Sequence, residues 1–354
     1  MSKPDLYLVD GSSYVYRAFL ALPNLTNSRG EPTGALLGVA NMLKRVLKDD
    51  NPEHIAVVFD AKGPTFRHEL YSEYKANRPP MPMELRKQVE QILEFTRLLG
   101  LPLLQVEGVE ADDVIGTLSR AAEESGMECV ISTGDKDLAQ LVTGHTTMVN
   151  TMTDVKTDSD AVVDKYGITP DQFIDFLALT GDTSDNIPGV EKCGPKTAAK
   201  WLSKYGTLDN LLAHSDEIGG KIGENLRAAL DQIPLSRELA TIRLDLELEQ
   251  KPMDLRRQDI DNAALIETLK RYEFNSWLQE AGNDSRSDQA VETDYRTITR
   301  EEDLDSLMDE LESADLFAFD TETTSLDAMQ AELVGISVST VAGKAAYIPV
   351  GHNY

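Results

Sequence analysis

Short apolar runs that each deliver the chain to carboxylates constrain this fold more than any other feature of the sequence. Leu6 to Val9 ends at Asp10, and Ile55 to Phe59 ends at Asp60. Leu103 to Val106 leads into Glu110, Asp112 and Asp113, and Cys129 to Ser132 is followed by Thr133-Gly134-Asp135-Lys136-Asp137. Uniformly apolar runs of this length read as strands buried on both faces. Helical spacing separates the first two, at Tyr14 to Leu20 and again through Leu36, Val39, Ala40, Leu43 and Leu47. Strand, helix, strand units of this kind give a largely parallel α/β sheet with helices on both faces. Ligands then collect at the carboxyl ends of the strands, where these acids stand. A single Asp in such a place is usually a turn or cap residue; the repetition points to metal ions.

Glu110-Ala111-Asp112-Asp113 is the densest group. Glu110 and Asp113 share a helical face at i, i+3. Unit charges about 4 Å apart repel by roughly 4 kcal/mol at an effective dielectric near 20, so unscreened acids here would be costly. Taken alone the tetrapeptide suits capping, because acids in a first turn meet unpaired N–H groups and the macrodipole. The acids elsewhere shift the balance toward cations. No His or Cys accompanies them, so an all-oxygen site favours Mg²⁺ or Mn²⁺ over zinc.

A net charge of -27 would by itself argue against a nucleic-acid partner. Acid accumulates, however, in Glu301, Glu302, Asp303, Asp305, Asp309, Glu310, Glu312 and Asp315, away from two basic stretches. In the first, Lys62, Arg67, His68, Lys75 and Arg78 alternate with Phe66, Tyr71 and Tyr74, as suits phosphate contact with base stacking. A solvated face with anchoring tyrosines fits that stretch equally well. The second follows Gly181-Asp182-Thr183-Ser184-Asp185-Asn186, where Gly189 and Gly194 flank Lys192 and Pro195 opens a helix bearing Lys196, Lys200 and Lys204 on one stripe. Glycines that permit close approach, together with a free helix start, make this a helix-hairpin-helix grip on a phosphate backbone. The two cysteines, Cys129 and Cys193, lack metal-ligand spacing and fit a reducing cytoplasm. The opening Met1-Ser2-Lys3-Pro4 and its short apolar run are too brief for a signal peptide or membrane span.

Residues 209 to 277 read as helical and 281–295 as a polar linker. A strand ending at Asp320-Thr321-Glu322 and two more, Val334 to Ser339 and Ala345 to Val350, follow an acidic helix.

Val9-Asp10-Gly11-Ser12-Ser13, Val58-Phe59-Asp60, Tyr74-Lys75-Ala76-Asn77-Arg78-Pro79, Glu110 to Asp113, Thr133 to Asp137 and Gly181 to Asn186 occur in this order. Together they resemble the 5′-nuclease domain of bacterial DNA polymerase I, of the flap endonuclease family, over roughly residues 5 to 280. Asp320 and Glu322 resemble the first motif of the 3′-5′ exonuclease domain of the same polymerases, whose later carboxylates and polymerase domain this chain lacks.

The resemblance implies a PIN-like flap-endonuclease sheet over 1–165 with a helical arch at about 65–100. A helix-hairpin-helix region at 166–280 and a truncated, ribonuclease-H-like exonuclease segment at 296–354 would follow. It implies that Asp10, Asp60, Glu110, Asp112, Asp113, Asp135 and Asp137 hold catalytic Mg²⁺ (or Mn²⁺), with Asp182 and Asp185 at a more distant ion. Lys75 and Arg78 would reach the scissile phosphate, and Tyr74 would offer a stacking surface. Arg17, Lys192, Lys196 and Lys200 would contact DNA, and K⁺ would bind in the hairpin region. The partner implied is DNA with 5′ ends, flaps or RNA-primed junctions, cut by a monomer in the cytoplasm at the nucleoid. Two rivals are a nucleic-acid-binding module without chemistry, which the filled carboxylate positions disfavour, and a metal-dependent ribonuclease, which would need no Gly189 to Lys204 region.

Overall fold

Leu6–Asp10 (β1) is buried at every position and forms the middle of a six-stranded sheet. The other strands are His54–Val58 (β2), Leu103–Leu104 (β3), Cys129–Ser132 (β4), Thr146–Asn150 (β5) and Val155–Thr157 (β6), in the order β3-β2-β1-β4-β5-β6. Only β6 runs antiparallel to its neighbour. The computed structural model describes residues 4–23, 25–284, 294–325, 330–341 and 343–351. Two compact units divide the chain, 1–275 and 276–354.

Register decides what the sheet presents. Asp10 pairs with Val58 and Val9 with Ser132, so the residues following β1, β2 and β4 leave the sheet along one edge. The run expected at Leu103 to Val106 is shorter than its apolar pattern, pairing only through Leu103 and Leu104 with Val57 and Val58. The Thr-rich strands β5 and β6 carry too weak an apolar alternation to stand out in the sequence.

Side chains alternate across the sheet. Leu6, Leu8, Ala56, Val58, Cys129 and Ile131 belong to a core shared with Val114 and Leu118 of α5 (Ala111–Glu124). The helices α1 (Gly11–Ala21), α2 (Gly34–Asp49) and α4 (Met83–Leu98) pack in succession, α1 on α2 and α2 on α4. The expected arch is a short α3 (Phe66–Leu70), a turn-rich stretch over 71–82 and then α4. Pro79, Pro80 and Pro82 keep the stretch between them from being helical.

Beyond α6 (Ser159–Tyr166) the chain turns helical: α7 (Phe173–Thr180), α8 (Pro195–Tyr205), α9 (Leu208–Ala213), α10 (Gly220–Ala228), α11 (Ile233–Ala240) and α12 (Asn262–Tyr272). Residues 241–261, expected to be helical, instead run as irregular chain with one short turn at Pro252–Asp254. Trp201 is buried, as its packing assignment required.

In the second unit α13 (Asn275–Asp284) and β7 (Asp294–Thr297) occupy the ends of the stretch read as a linker; residues 285–293 lie outside the described ones. With α14 (Glu301–Ser313), β8 (Ala318–Thr323), β9 (Leu333–Val341) and β10 (Lys344–Pro349), the strands order as β7-β10-β9-β8 over a small core of Ile298, Leu307, Val338 and Ala346. Among the described residues, no helix is long and apolar enough to cross a membrane.

Candidate active site

The strand ends bring five carboxylates together. Asp10 caps α1, accepting the Ser13 N–H at 2.9 Å and, through its other oxygen, the Thr133 hydroxyl at 2.7 Å. Asp60 accepts the Ala111 N–H at 2.8 Å, which ties the end of β2 to the start of α5. Asp135 donates its backbone N–H to Thr133 Oγ1 and accepts the Asp137 N–H on its carboxylate, both at 2.9 Å. Asp112 is half-buried and has no hydrogen bond or ion pair among the described residues.

Electrostatics register the crowding. Burial raises Asp10 to about 7 against the hydrogen bonds from Thr133 and Ser13, and Asp135 and Asp60 add to the rise. Asp112 is pushed well above the usual carboxylate range by burial and then by Asp10, Asp135, Glu110 and Asp60. Asp10 and Asp112 lose hydration, while Asp60 and Asp135, exposed beside them, act as like charges.

A second group adjoins the first. Burial, then Asp135, raises Asp137 to about 7 although Lys136 pulls the other way. One Asp137 oxygen is buried with no hydrogen-bond partner. Burial also acts to raise Asp182, but the Lys136 ammonium at 2.7 Å and the N–H groups of Ser184 and Asp185 more than offset it and hold this acid below its ordinary value.

The basic segment is docked on these acids. Lys75 Nζ lies 2.5 Å from Glu110 and 3.6 Å from Asp185, and Arg78 pairs with Asp185. Asn77 Nδ2 donates to Thr183 O at 2.6 Å, and Asn186 Nδ2 donates to Glu73 O at 2.7 Å.

Several expectations need correction. Asp113 is completely buried and faces away from the cluster: Arg67 grips both its oxygens, at 2.7 and 2.9 Å, and the N–H groups of Glu110 and Arg243 complete its set. Its acceptor sites are filled by protein, so it does not fit as a metal ligand. Asp113 returns a bond to the Glu110 N–H, so the capping reading holds for this acid and fails for Asp112. Arg67, counted with the phosphate-facing bases, is only 2% exposed and points inward. Tyr74 is 3% exposed, its hydroxyl donating to Glu110 at 2.9 Å and Asp185 at 3.1 Å, so it offers no ring face for stacking. Gly189 does permit a close approach, and it is the Thr180 backbone that makes it: a Cβ there would stand 2.4 Å from the Thr180 carbonyl. Arg17 is half-buried, bonded to Asn150 at 2.7 Å.

Other expectations fit where the structure puts them. Lys192, Lys196 and Lys200 are exposed, while Ala198, Trp201 and Leu202 fill the opposite face of α8. Gly194 faces open space beside them. Asp320 and Glu322 lie on β8, exposed along its whole length. Thr133 and Lys136 escaped notice as site residues, and Arg67 was read only as a phosphate-facing base. Lys136 was visible between Asp135 and Asp137; the other two are identified only by partners far away in sequence.

Among the described residues, no three His, Cys, Asp or Glu side chains form a ready-made metal cage. The donor chemistry nevertheless fits a hard cation. Among the described residues the Asp112 side chain has no hydrogen-bond or ionic partner, one buried Asp137 oxygen accepts no hydrogen bond and has only the Lys136 ammonium at 3.9 Å, and both groups are oxygen-only. Mg²⁺ in particular keeps several waters and needs only one or two carboxylates directly.

Residues 5–167 match the family model described as 5′-3′ exonuclease, N-terminal resolvase-like domain, and residues 168–263 the model of its C-terminal SAM fold. Residues 295–354 match a 3′-5′ exonuclease model. DNA polymerase I of Pseudomonas aeruginosa is 50% identical over all of this chain, which covers 41% of that protein. The chain thus spans about two-fifths of the length of this curated relative. Among solved structures, T5 5′-exonuclease with bound divalent metal ions (zinc) superposes with a TM-score of 0.57 at 21% identity, covering 66% of this chain and 88% of that one. The catalytic core of Rad2 in complex with DNA substrate gives a TM-score of 0.54 at 17% identity, covering 80% and 92%.

Proposed function

This chain belongs to the 5′-3′ exonuclease family, and on that premise we propose that it hydrolyses DNA phosphodiester bonds beside 5′ ends and flap junctions in Mg²⁺. The observation that carries the reading is the gathering of Asp10, Asp60, Glu110, Asp112 and Asp135 at one edge of the sheet, with Lys75 and Arg78 against the neighbouring acids.

Asp10, Asp60, Glu110, Asp112, Asp135 and Asp137 would hold divalent ions there, with Asp182 and Asp185 at a second position; when bound, such ions would supply an activated water and neutralise phosphate charge. The protein's own contribution is orientation. Thr133 and the Ser13 N–H fix the Asp10 carboxylate, and the Ala111 N–H fixes Asp60. Lys75 and Arg78 exchange their carboxylate partners for the scissile phosphate and hold its developing negative charge. The water oxygen bonds to phosphorus as the P–O3′ bond breaks, so the 5′ fragment leaves with a 3′-hydroxyl and the strand that stays in the duplex keeps the phosphate as its new 5′ end. Lys192, Lys196 and Lys200 hold the duplex by its backbone, with salt-dependent affinity. A K⁺ ion in the hairpin, a monomeric state and a cytoplasmic, nucleoid-associated location belong to the same reading.

The assay compares a 5′-flap duplex with single-stranded RNA in Mg²⁺, using the wild type and Asp112→Asn. Preferential cutting of the flap by wild type and loss of cutting by the variant, with DNA binding retained, is the expected result. An Asp112→Asn protein that cuts the flap at near wild-type rate sinks it, and preferential RNA cutting revives the ribonuclease reading.

A further inference from the structure

The first turn of α5 is gripped from behind by chain that leaves the helical region. Residues 239–246, the end of α11 and the irregular segment after it, lie against α5, and Arg67 of α3 is the rivet. Its Nε donates to Leu239 O at 2.8 Å and its Nη2 to Thr241 O at 2.8 Å, while Nη1 and Nη2 hold the two Asp113 oxygens. Further along the helix, Thr117 Oγ1 donates to Arg243 O and accepts the Leu246 N–H, each at 3.3 Å. Gln140 clamps the same strap, donating to Ala240 O and accepting the Ile242 N–H, both at 3.0 Å. Gly116 lies directly beneath, where a Cβ would meet Ile242 Cγ2 at 2.6 Å and Arg243 O at 3.1 Å.

We infer that Arg67 and Asp113 are a positioning pair through which this strap sets the first turn of α5 and so aims Glu110 and Asp112 at the carboxylate cluster. Asp113 does not touch the ions. The inference rests on the metal-dependent nuclease reading above. A buried ion pair is a poor source of stability, because desolvating both charges cancels much of their attraction. What this pair supplies is direction: five N–H donors in a rigid plane fix the Asp113 carboxylate against Leu239, Thr241 and the α5 start at once. Arg67 Nη1 also stands 3.4 Å from Glu110, so a shift of the guanidinium is felt directly by an acid of the cluster. The outer partners of metal-binding groups act in this way, and losing one weakens metal binding about 10- to 100-fold.

The experiment measures Mn²⁺ binding by calorimetry without DNA, together with kcat and KM on a 5′-flap duplex, for the full chain carrying Arg67→Lys, Asp113→Asn or the double Arg67→Met, Asp113→Leu. Positioning predicts that each single change weakens Mn²⁺ binding about 10- to 100-fold and lowers kcat with KM little changed. Excess Mn²⁺ should restore part of the rate, and the double variant should be no worse than either single. Wild-type Mn²⁺ affinity and kcat in Arg67→Lys overturn the inference. So does a Asp113→Asn protein that loses Mn²⁺ binding while Arg67→Lys keeps it, since that makes Asp113 a ligand. Should circular dichroism show a single variant unfolded, the double variant, with both charges removed together, carries the same test by its Mn²⁺ affinity: unchanged affinity overturns the inference. Failure of the nuclease reading looks different, because Asp112→Asn would then retain cleavage.

Discussion

Both sheets of this molecule carry paired acids on strands, and they treat them in opposite ways. In the first, Asp10 is 3% exposed, hydrogen-bonded on both oxygens and repelled by Asp60 and Asp135 at the ends of neighbouring strands. In the second, Asp320 and Glu322 share one face of β8, a strand exposed at every position. A parallel sheet with helices on both sides brings the ends of several strands to one edge, where Asp10 is buried, Asp112 half-buried and Asp60 and Asp135 exposed, whereas the edge strand β8 leaves both its acids in water. What sets the first group apart is that the fold buries Asp10, half-buries Asp112 and surrounds both with neighbours of the same sign.

The sharpest way to break that contrast is to remove a buried acid. Asp10→Asn should lower flap cleavage by roughly 10³-fold, as several kcal/mol of transition-state stabilisation is lost; single-turnover kinetics at saturating Mg²⁺ measures it. Lys75→Ala should cost less, about 10²-fold in kcat, through lost stabilisation of phosphate charge. The same variant should bind Mn²⁺ more tightly in calorimetry without DNA, since the Lys75 ammonium now neutralises Glu110 and Asp185.

A smaller effect concerns pH. Asp10 and Asp137 are raised to about 7 in the folded, metal-free protein, above their ordinary carboxylate values. The folded state therefore holds more protons than the unfolded chain between the ordinary carboxylate range and pH 7, so stability from these groups is present at low pH and lost as pH rises through that window. In thermal melts without metal, the advantage of Asp10→Asn over wild type should grow by about 5 °C between pH 5 and pH 8. Added Mg²⁺ should shrink it at pH 8. Asp320→Asn with Glu322→Gln should change flap cleavage least, within about twofold, because exposed surface changes seldom matter. A large loss there would mean that the second sheet shares in the reaction.

Much of this was legible beforehand because it is local. The runs ending at Asp10 and Asp60 announce buried strands, and Pro195 with Ala198, Trp201 and Leu202 announces an amphipathic helix with lysines outside. What could not be read was the partner of each polar group. Tyr74 looked like a base-stacking ring and is a buried donor to Glu110; Arg67 looked like a surface cation and is a buried rivet. Gly189 announced a close approach, but not that the Thr180 backbone makes it.

The sequence by itself determined which residue types stand at which strand ends, and therefore that carboxylates gather along one edge of a parallel sheet. Only the tertiary structure decided how Asp112 and Asp113 divide the work. Adjacent helical residues point about 100° apart, so one faces the other strand ends and one faces the strap. Which is which depends on Arg67 and Arg243, contacts across 46 and 130 positions of chain that no local pattern encodes.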